Sequence, residues 1–194
     1  MKLSKIEQIL KRRKTIVLYQ ENPQWIGDYN AVYQMTNMPK LDETSLCYLF
    51  EITEEQRQKF NVITKAYAPV EHLFDDHHIT DNEVSTQPLF SLYSDGSVFI
   101  PIKTSQGVRF IAAEYLAPFT KDDVTVYERT LNGHIYFVVK KGLFIRAVIL
   151  PCLIKDNGEP VKQFTAELHA LMQNYTNDCG ALDLLGVKGE SYAE

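Results

Sequence analysis

Three groups of residues in this sequence have side chains suited to chemistry. The first is Glu128 with Arg146. If Asn132-Gly133 and Lys141-Gly142 are both two-residue hairpin turns, Leu131 pairs with His134, Glu128 with Phe137, and Phe137 with Arg146. A carboxylate and a guanidinium then flank one aromatic ring. That arrangement suits a structural ion pair or cation–π contact, and equally an anion-binding or catalytic pair in a cleft.

The second group is Asp75, Asp76, His77 and His78, followed by Asp81 and Glu83. Carboxylates and imidazoles are metal ligands, but adjacent histidines on an extended chain point to opposite sides. The sequence contains no His-x-x-x-His helix, so the expectation is a solvated acidic loop and no metal. The third group is Lys11-Arg12-Arg13-Lys14, a basic run that could contact the phosphates of a nucleic acid or serve as a solvated helix end. Nucleophile elbows, phosphate-binding glycine loops and dinucleotide fingerprints are absent, and no cofactor is expected.

Composition bounds the setting of these groups. The chain has 194 residues, 45% of them hydrophobic and 23% charged, enough for one core without disulfides or metals. Net charge is −5, unevenly spread: residues 1–14 sum to +5 and the remainder to −10. No apolar stretch reaches the roughly 20 residues that span a bilayer. Met1–Glu7 lack the apolar core of a signal peptide, and Cys47, Cys152 and Cys179 form no paired motif. The expectation is a cytoplasmic protein with reduced thiols and no membrane partner.

Glycine turns dominate the middle of the chain, at Asp95-Gly96, Gln106-Gly107, Asn132-Gly133, Lys141-Gly142 and Asn157-Gly158. Asn-Gly and Asp-Gly adopt the positive φ angles of tight hairpins. Apolar segments between these turns define two antiparallel meanders, 89–93, 98–103 and 108–112, then 124–131, 134–140 and 143–150. In the second, Tyr127, Tyr136, Val138, Leu143, Ile145, Ala147 and Ile149 fall on the more apolar face, expected to be buried, with Arg129 an exception near its edge. Val126, Glu128, Phe137, Val139, Phe144, Arg146 and Val148 fall on the other.

Leu3, Ile6, Ile9 and Leu10 share one face of an N-terminal helix, and the β-branched run 15–19 reads as a strand. Residues 24–29, including the sole tryptophan, Trp25, read as a loop before a strand at 31–33. Asp42 is a suitable N-cap for a helix over 43–50, and Thr53 with Gln56 has capping-box spacing for a helix to about residue 60. A short strand follows at 62–67. Val161, Phe164, Leu168, Leu171 and Met172 mark a C-terminal helix packed on a sheet.

The fold class expected is therefore α+β: hairpin-rich antiparallel sheet, a helical N-terminal part and a C-terminal helix on a sheet. The regions are 1–68 of mixed helix and strand, an acidic loop or linker at 69–87, a β-rich region with the C-terminal helix at 88–177, and a flexible tail at 178–194. All four can also belong to one domain.

Several stretches carry a resemblance: 14–19 (KTIVLY), 24–28 (QWIGD), 39–43 (PKLDE) with Leu46 and Phe50, 104–108 (TSQGV), 115–118 (YLAP), 127–129 (YER) and 142–151 (GLFIRAVILP). Through them the chain resembles a group of small uncharacterised proteins encoded by prophages and other mobile elements of Gram-positive gut bacteria. The group has no assigned activity, so the resemblance transfers no site residue. It implies a bacterial, phage-linked setting. The function expected is a non-enzymatic interaction protein with a protein partner. The alternatives are nucleic-acid binding through residues 11–14 and an enzyme with a site near Glu128 and Arg146.

Overall fold

The computed structural model describes residues 1–68, 73–76, 81–86, 91–94, 96–120 and 122–152. The expected C-terminal helix and tail lie outside these residues, as do His77 and His78.

The chain opens with α1 (Leu3–Arg13), which buries Ile6, Ile9 and Leu10, as the spacing of its apolar residues predicts. Lys14 ends it in the left-handed conformation, and its amide donates to the Leu10 carbonyl. Strand β1 (Thr15–Tyr19) follows, then β2 (Gln24–Gly27) and β3 (Ala31–Met35). Residues 24–27 thus form a strand where the sequence suggested a loop. The polar-looking Gln24 is buried, with Nε2 donating to the Leu41 carbonyl at 2.8 Å and Oε1 accepting from the Leu41 amide at 2.7 Å. Polar composition misled because a satisfied amide side chain can be buried at low cost.

The β2–β3 turn is built by Asp28, whose Oδ1 accepts from the amides of Asn30 and Ala31, both at 2.8 Å. Gly27 is required there, since a Cβ would stand 1.8 Å from the Ala31 carbonyl oxygen. Tyr115 donates its hydroxyl to the other Asp28 oxygen at 2.9 Å and accepts, through its carbonyl, the hydroxyl of Tyr33 at 3.0 Å. Burial and the Asp28 charge push the Tyr115 hydroxyl far above its ordinary pKa and keep it a donor.

Two capped helices come next. Asp42 and Ser45 form a capping box on α2 (Glu43–Leu49), and Thr53 and Gln56 form another on α3 (Glu54–Arg57). The second helix is one turn long, shorter than the sequence suggested, because no residue within it is buried to hold it to the core. The chain then returns beside β1 as β4 (Asn61–Lys65), and the pairing is parallel.

Within 69–87, read from sequence as a loop or linker, Asn82–Val84 forms β5 and pairs with β9 (Thr125–Leu131). The first meander is a three-stranded sheet of β6 (Leu92–Ser94), β7 (Ser97–Thr104) and β8 (Gly107–Ala112). Among the described residues the pairing of β6 with β7 runs from Ser97 to Phe99, so Pro101 lies outside it and pairs only with Phe110 of β8. A 3-10 helix, Ala113–Phe119, crosses to the second meander of β9, β10 (His134–Lys141) and β11 (Phe144–Ile149). The result is a mixed eight-stranded sheet in the order β4-β1-β2-β3-β11-β10-β9-β5.

The β9–β10 register is the one read from Asn132-Gly133, with Glu128 opposite Phe137 and Tyr127 opposite Val138. The β10–β11 register differs. Lys141 pairs with Phe144, so Gly142-Leu143 forms the turn, and the ladder slips between Val139 and Lys140. Arg146 is the extra residue of this bulge. Phe137 faces Ile149, not Arg146.

The bulge also redistributes the two faces. Ile145 and Val148 pack with Val17, Trp25, Tyr136 and Val138, while Ala147 and Ile149 join Phe137 and Val139 on the opposite face. That second face lies against α1, α2, the 3-10 helix and the small sheet, through Leu10, Leu46, Tyr115, Ile102 and Ile111. Both faces of the sheet are buried.

Candidate functional site

Glu128 and Arg146 do not meet. Glu128 is buried, and its two carboxylate oxygens accept from the Ser105 amide at 3.1 and 3.0 Å and from the Ser105 hydroxyl. It thereby clamps the β7–β8 turn of the small sheet onto the large one. Arg146 is half-buried and donates from Nη1 to Gln34 Oε1 at 2.7 Å, with its guanidinium 5.9 Å from the Phe144 ring centre. The proposed flanking of Phe137 fails because the bulge shifts Arg146 out of register with it.

The basic run lies at the surface, with Arg12, Arg13 and Lys14 exposed, but Lys11, Arg12 and Arg13 are paired within the chain. Lys11 bonds Glu7 at 2.7 Å, and both Arg12 and Arg13 reach Glu114 of the 3-10 helix. Arg13 also lies 6.0 Å from the Tyr115 ring centre. Lys14 is the helix C-cap. These contacts join α1 to the crossover between the sheets.

The acidic segment is also partly inside. Phe74 stacks on Trp25, with ring centres 4.0 Å apart and planes 10° from parallel, and meets Tyr19 edge-on at 5.7 Å. Asp76 Oδ1 accepts the Ile145 amide at 2.7 Å, where the bulge has displaced the strand ladder. The Asp75 carbonyl accepts from Arg129 Nη1 and the Asp76 carbonyl from Lys140 Nζ. Among the described residues no group of histidine, cysteine and carboxylate side chains could hold a metal ion.

Two buried cations anchor this segment to the sheet. Arg129 has no exposure and Lys140 is 8% exposed. Asp81 pairs with both, and Lys140 also lies 5.2 Å from the Tyr127 ring centre. Burial alone would raise the Asp81 carboxyl, but the hydrogen bonds and charges of Arg129 and Lys140 hold it below the ordinary aspartate value. The sequence marked Arg129 as an anomaly on an apolar face, yet nothing in its spacing revealed Asp81 as its partner, since the two lie 48 positions apart.

Beside this anchored segment opens a cleft of about 1120 Å³. Its lining includes Trp25 and Gln34 from β2 and β3, Glu21 and Pro23 from the β1–β2 turn, Lys40, Tyr67, and Phe74, Asp75 and Asp76. Glu21 accepts the Ala68 amide, which draws the chain after β4 to the lip of the cleft and leaves Tyr67 78% exposed there. Sequence reasoning missed the cleft because its walls come from five separate segments. The lone Trp25 was a signal of it, although Trp25 forms the packed floor and not an exposed anchor.

No family model matches the chain, no curated protein is similar to it, and no solved structure matches its fold. Among the described residues no helix is long and apolar enough to cross a membrane.

Proposed function

We propose that this chain is a non-enzymatic interaction protein of a prophage or other mobile element, and that it binds a host or phage protein through the cleft above Trp25 and Phe74. The observation that carries this reading is the cleft itself. It combines an aromatic floor, an exposed tyrosine at its lip and a mixed polar rim, the make-up of a protein-recognition surface. Its size slightly exceeds the roughly 300–1,000 Å³ of small-molecule pockets. The placement of Glu128 and Arg146 against structural partners gives the enzyme alternative less support. The engagement of Arg12 and Arg13 by Glu114 does the same for nucleic-acid binding.

The test is affinity capture from lysate of the native host with the wild-type chain and with Tyr67→Ala. A stoichiometric protein retained by the first and lost from the second supports the reading. Equal retention, or no retained protein, removes it.

A further inference from the structure

Strand β4 (Asn61–Lys65) is one edge of the eight-stranded sheet, with β1 as its only strand neighbour among the described residues. The Asn61 amide donates to the Lys14 carbonyl at 2.9 Å, and the Lys65 carbonyl accepts from the Gln20 amide at 2.8 Å. Backbone groups alternate in direction along a strand, so Asn61, Ile63 and Lys65 turn theirs toward β1, while Val62 and Thr64 turn theirs outward. The amides and carbonyls of Val62 and Thr64 have no protein partner among the described residues. Thr64 is exposed and Val62 half-buried. Between them Ile63 is a half-buried apolar side chain that packs in none of the core clusters. No proline or bulge blunts this edge, and its single charge, Lys65, stands at the end.

We infer that β4 pairs with β4 of a second copy of this chain, antiparallel about a two-fold axis through Ile63. In that register Val62 of each copy faces Thr64 of the other, and each such pair exchanges both of its backbone N–H···O bonds. The two Ile63 side chains stand opposite each other in the closely spaced position and cover one another. Asn61 faces Lys65 of the other copy, so no like charges are apposed. Hydrogen bonds, apolar contact and charge are thus all met by the same residues, which makes a second copy the occupant that fits this edge. The opposite edge, β5, is three residues long with Glu83 at its centre, and the same pairing there would set two carboxylates against each other. The β4 pairing uses none of the residues that line the cleft and stands independently of the reading above.

The test is sedimentation equilibrium of the full chain at concentrations from about 1 to about 100 μM, where association of moderate strength is read. The expected result is a mass that rises from 22.3 kDa toward twice that value. Thr64→Pro removes an outward N–H and leaves the ladder to β1 intact, so it should weaken dimerisation at least about tenfold. Ile63→Lys and Ile63→Glu should each be monomeric, because each sets like charges across the axis, whereas an equimolar mixture of the two should dimerise. Circular dichroism and thermal unfolding confirm that each variant is folded. A wild-type chain still monomeric at about 100 μM overturns the inference and leaves the edge to a strand of another protein. A dimer unchanged by Thr64→Pro overturns it too, as does a mixture of the Ile63 variants that stays monomeric. If Thr64→Pro does not fold, the mixed Ile63 variants decide the matter.

Discussion

Asp81 meets Arg129 with both carboxylate oxygens, and the arginine side chain it holds has no solvent exposure. Asp81 immediately precedes edge strand β5, whereas Arg129 belongs to β9, whose side chains alternate between the two faces of the sheet. The pair, with Lys140 as a third member, ties residues 75–76 and 81–84 to the sheet.

Removing one member of such a group leaves buried charge uncompensated. Asp81→Ala should lower unfolding free energy by about 3–5 kcal/mol in urea titrations, because Arg129 and Lys140 both lose their carboxylate. The triple variant Asp81→Leu with Arg129→Met and Lys140→Met, which leaves neither buried cation behind, should recover much of that loss. A loss under about 1 kcal/mol for Asp81→Ala would place the pair among exposed bridges instead.

The same pair sets an acid dependence. The Asp81 carboxyl is held below its ordinary value in the folded chain. A depressed carboxyl contributes stability that is present in full above the unfolded aspartate value, about 3.9, and is lost as pH falls through the lower folded value. Unfolding free energy should thus fall from about pH 4 downward, less steeply in Asp81→Asn. Asp42, held down by its bond from the Ser45 amide, and Asp122, held down by the N-terminal amine, account for part of the slope that remains. Parallel slopes in wild type and Asp81→Asn would contradict the assignment.

Phe74 covers the sole tryptophan. Phe74→Ala should shift Trp25 emission to longer wavelength and raise its quenching by iodide, since the indole changes from 1% exposed to open on one side. Unchanged emission would mean that residues 73–76 do not cap this face in solution.

Two glycines separate steric from conformational demand. Gly133 has φ +80° with nothing within 4 Å of an added Cβ, so Gly133→Ala should cost only the left-handed penalty of about 1–2 kcal/mol. Gly27→Ala places a Cβ against the Ala31 carbonyl and should destabilise far more, visible as a larger fall in the urea midpoint. Equal effects would refute the close approach.

Arg12 and Arg13 act on Glu114 in this fold. Charge reversal of both should lower thermal stability by loosening α1 from the 3-10 helix, and the wild-type chain should not retard duplex DNA in low-salt gels. A salt-dependent retardation lost on that reversal would restore the basic run as a nucleic-acid site.

Local features were legible in the sequence because their causes are local. Asp42 and Ser45, or Thr53 and Gln56, satisfy amides three residues away, and Asn132-Gly133 sets both the turn and the β9–β10 register through its own φ angles. The apolar stripe of α1 is equally local. The tertiary structure alone decided the parallel return of β4 beside β1, the recruitment of β5 from an acidic loop, and the bulge that separates Arg146 from Phe137. It alone also decided the partners of the buried charges. The β4, β5 and buried-charge pairings join residues tens of positions apart, where chain folding and not residue spacing determines proximity, and within the β10–β11 hairpin one bulge residue is enough to move every later side chain to the other face.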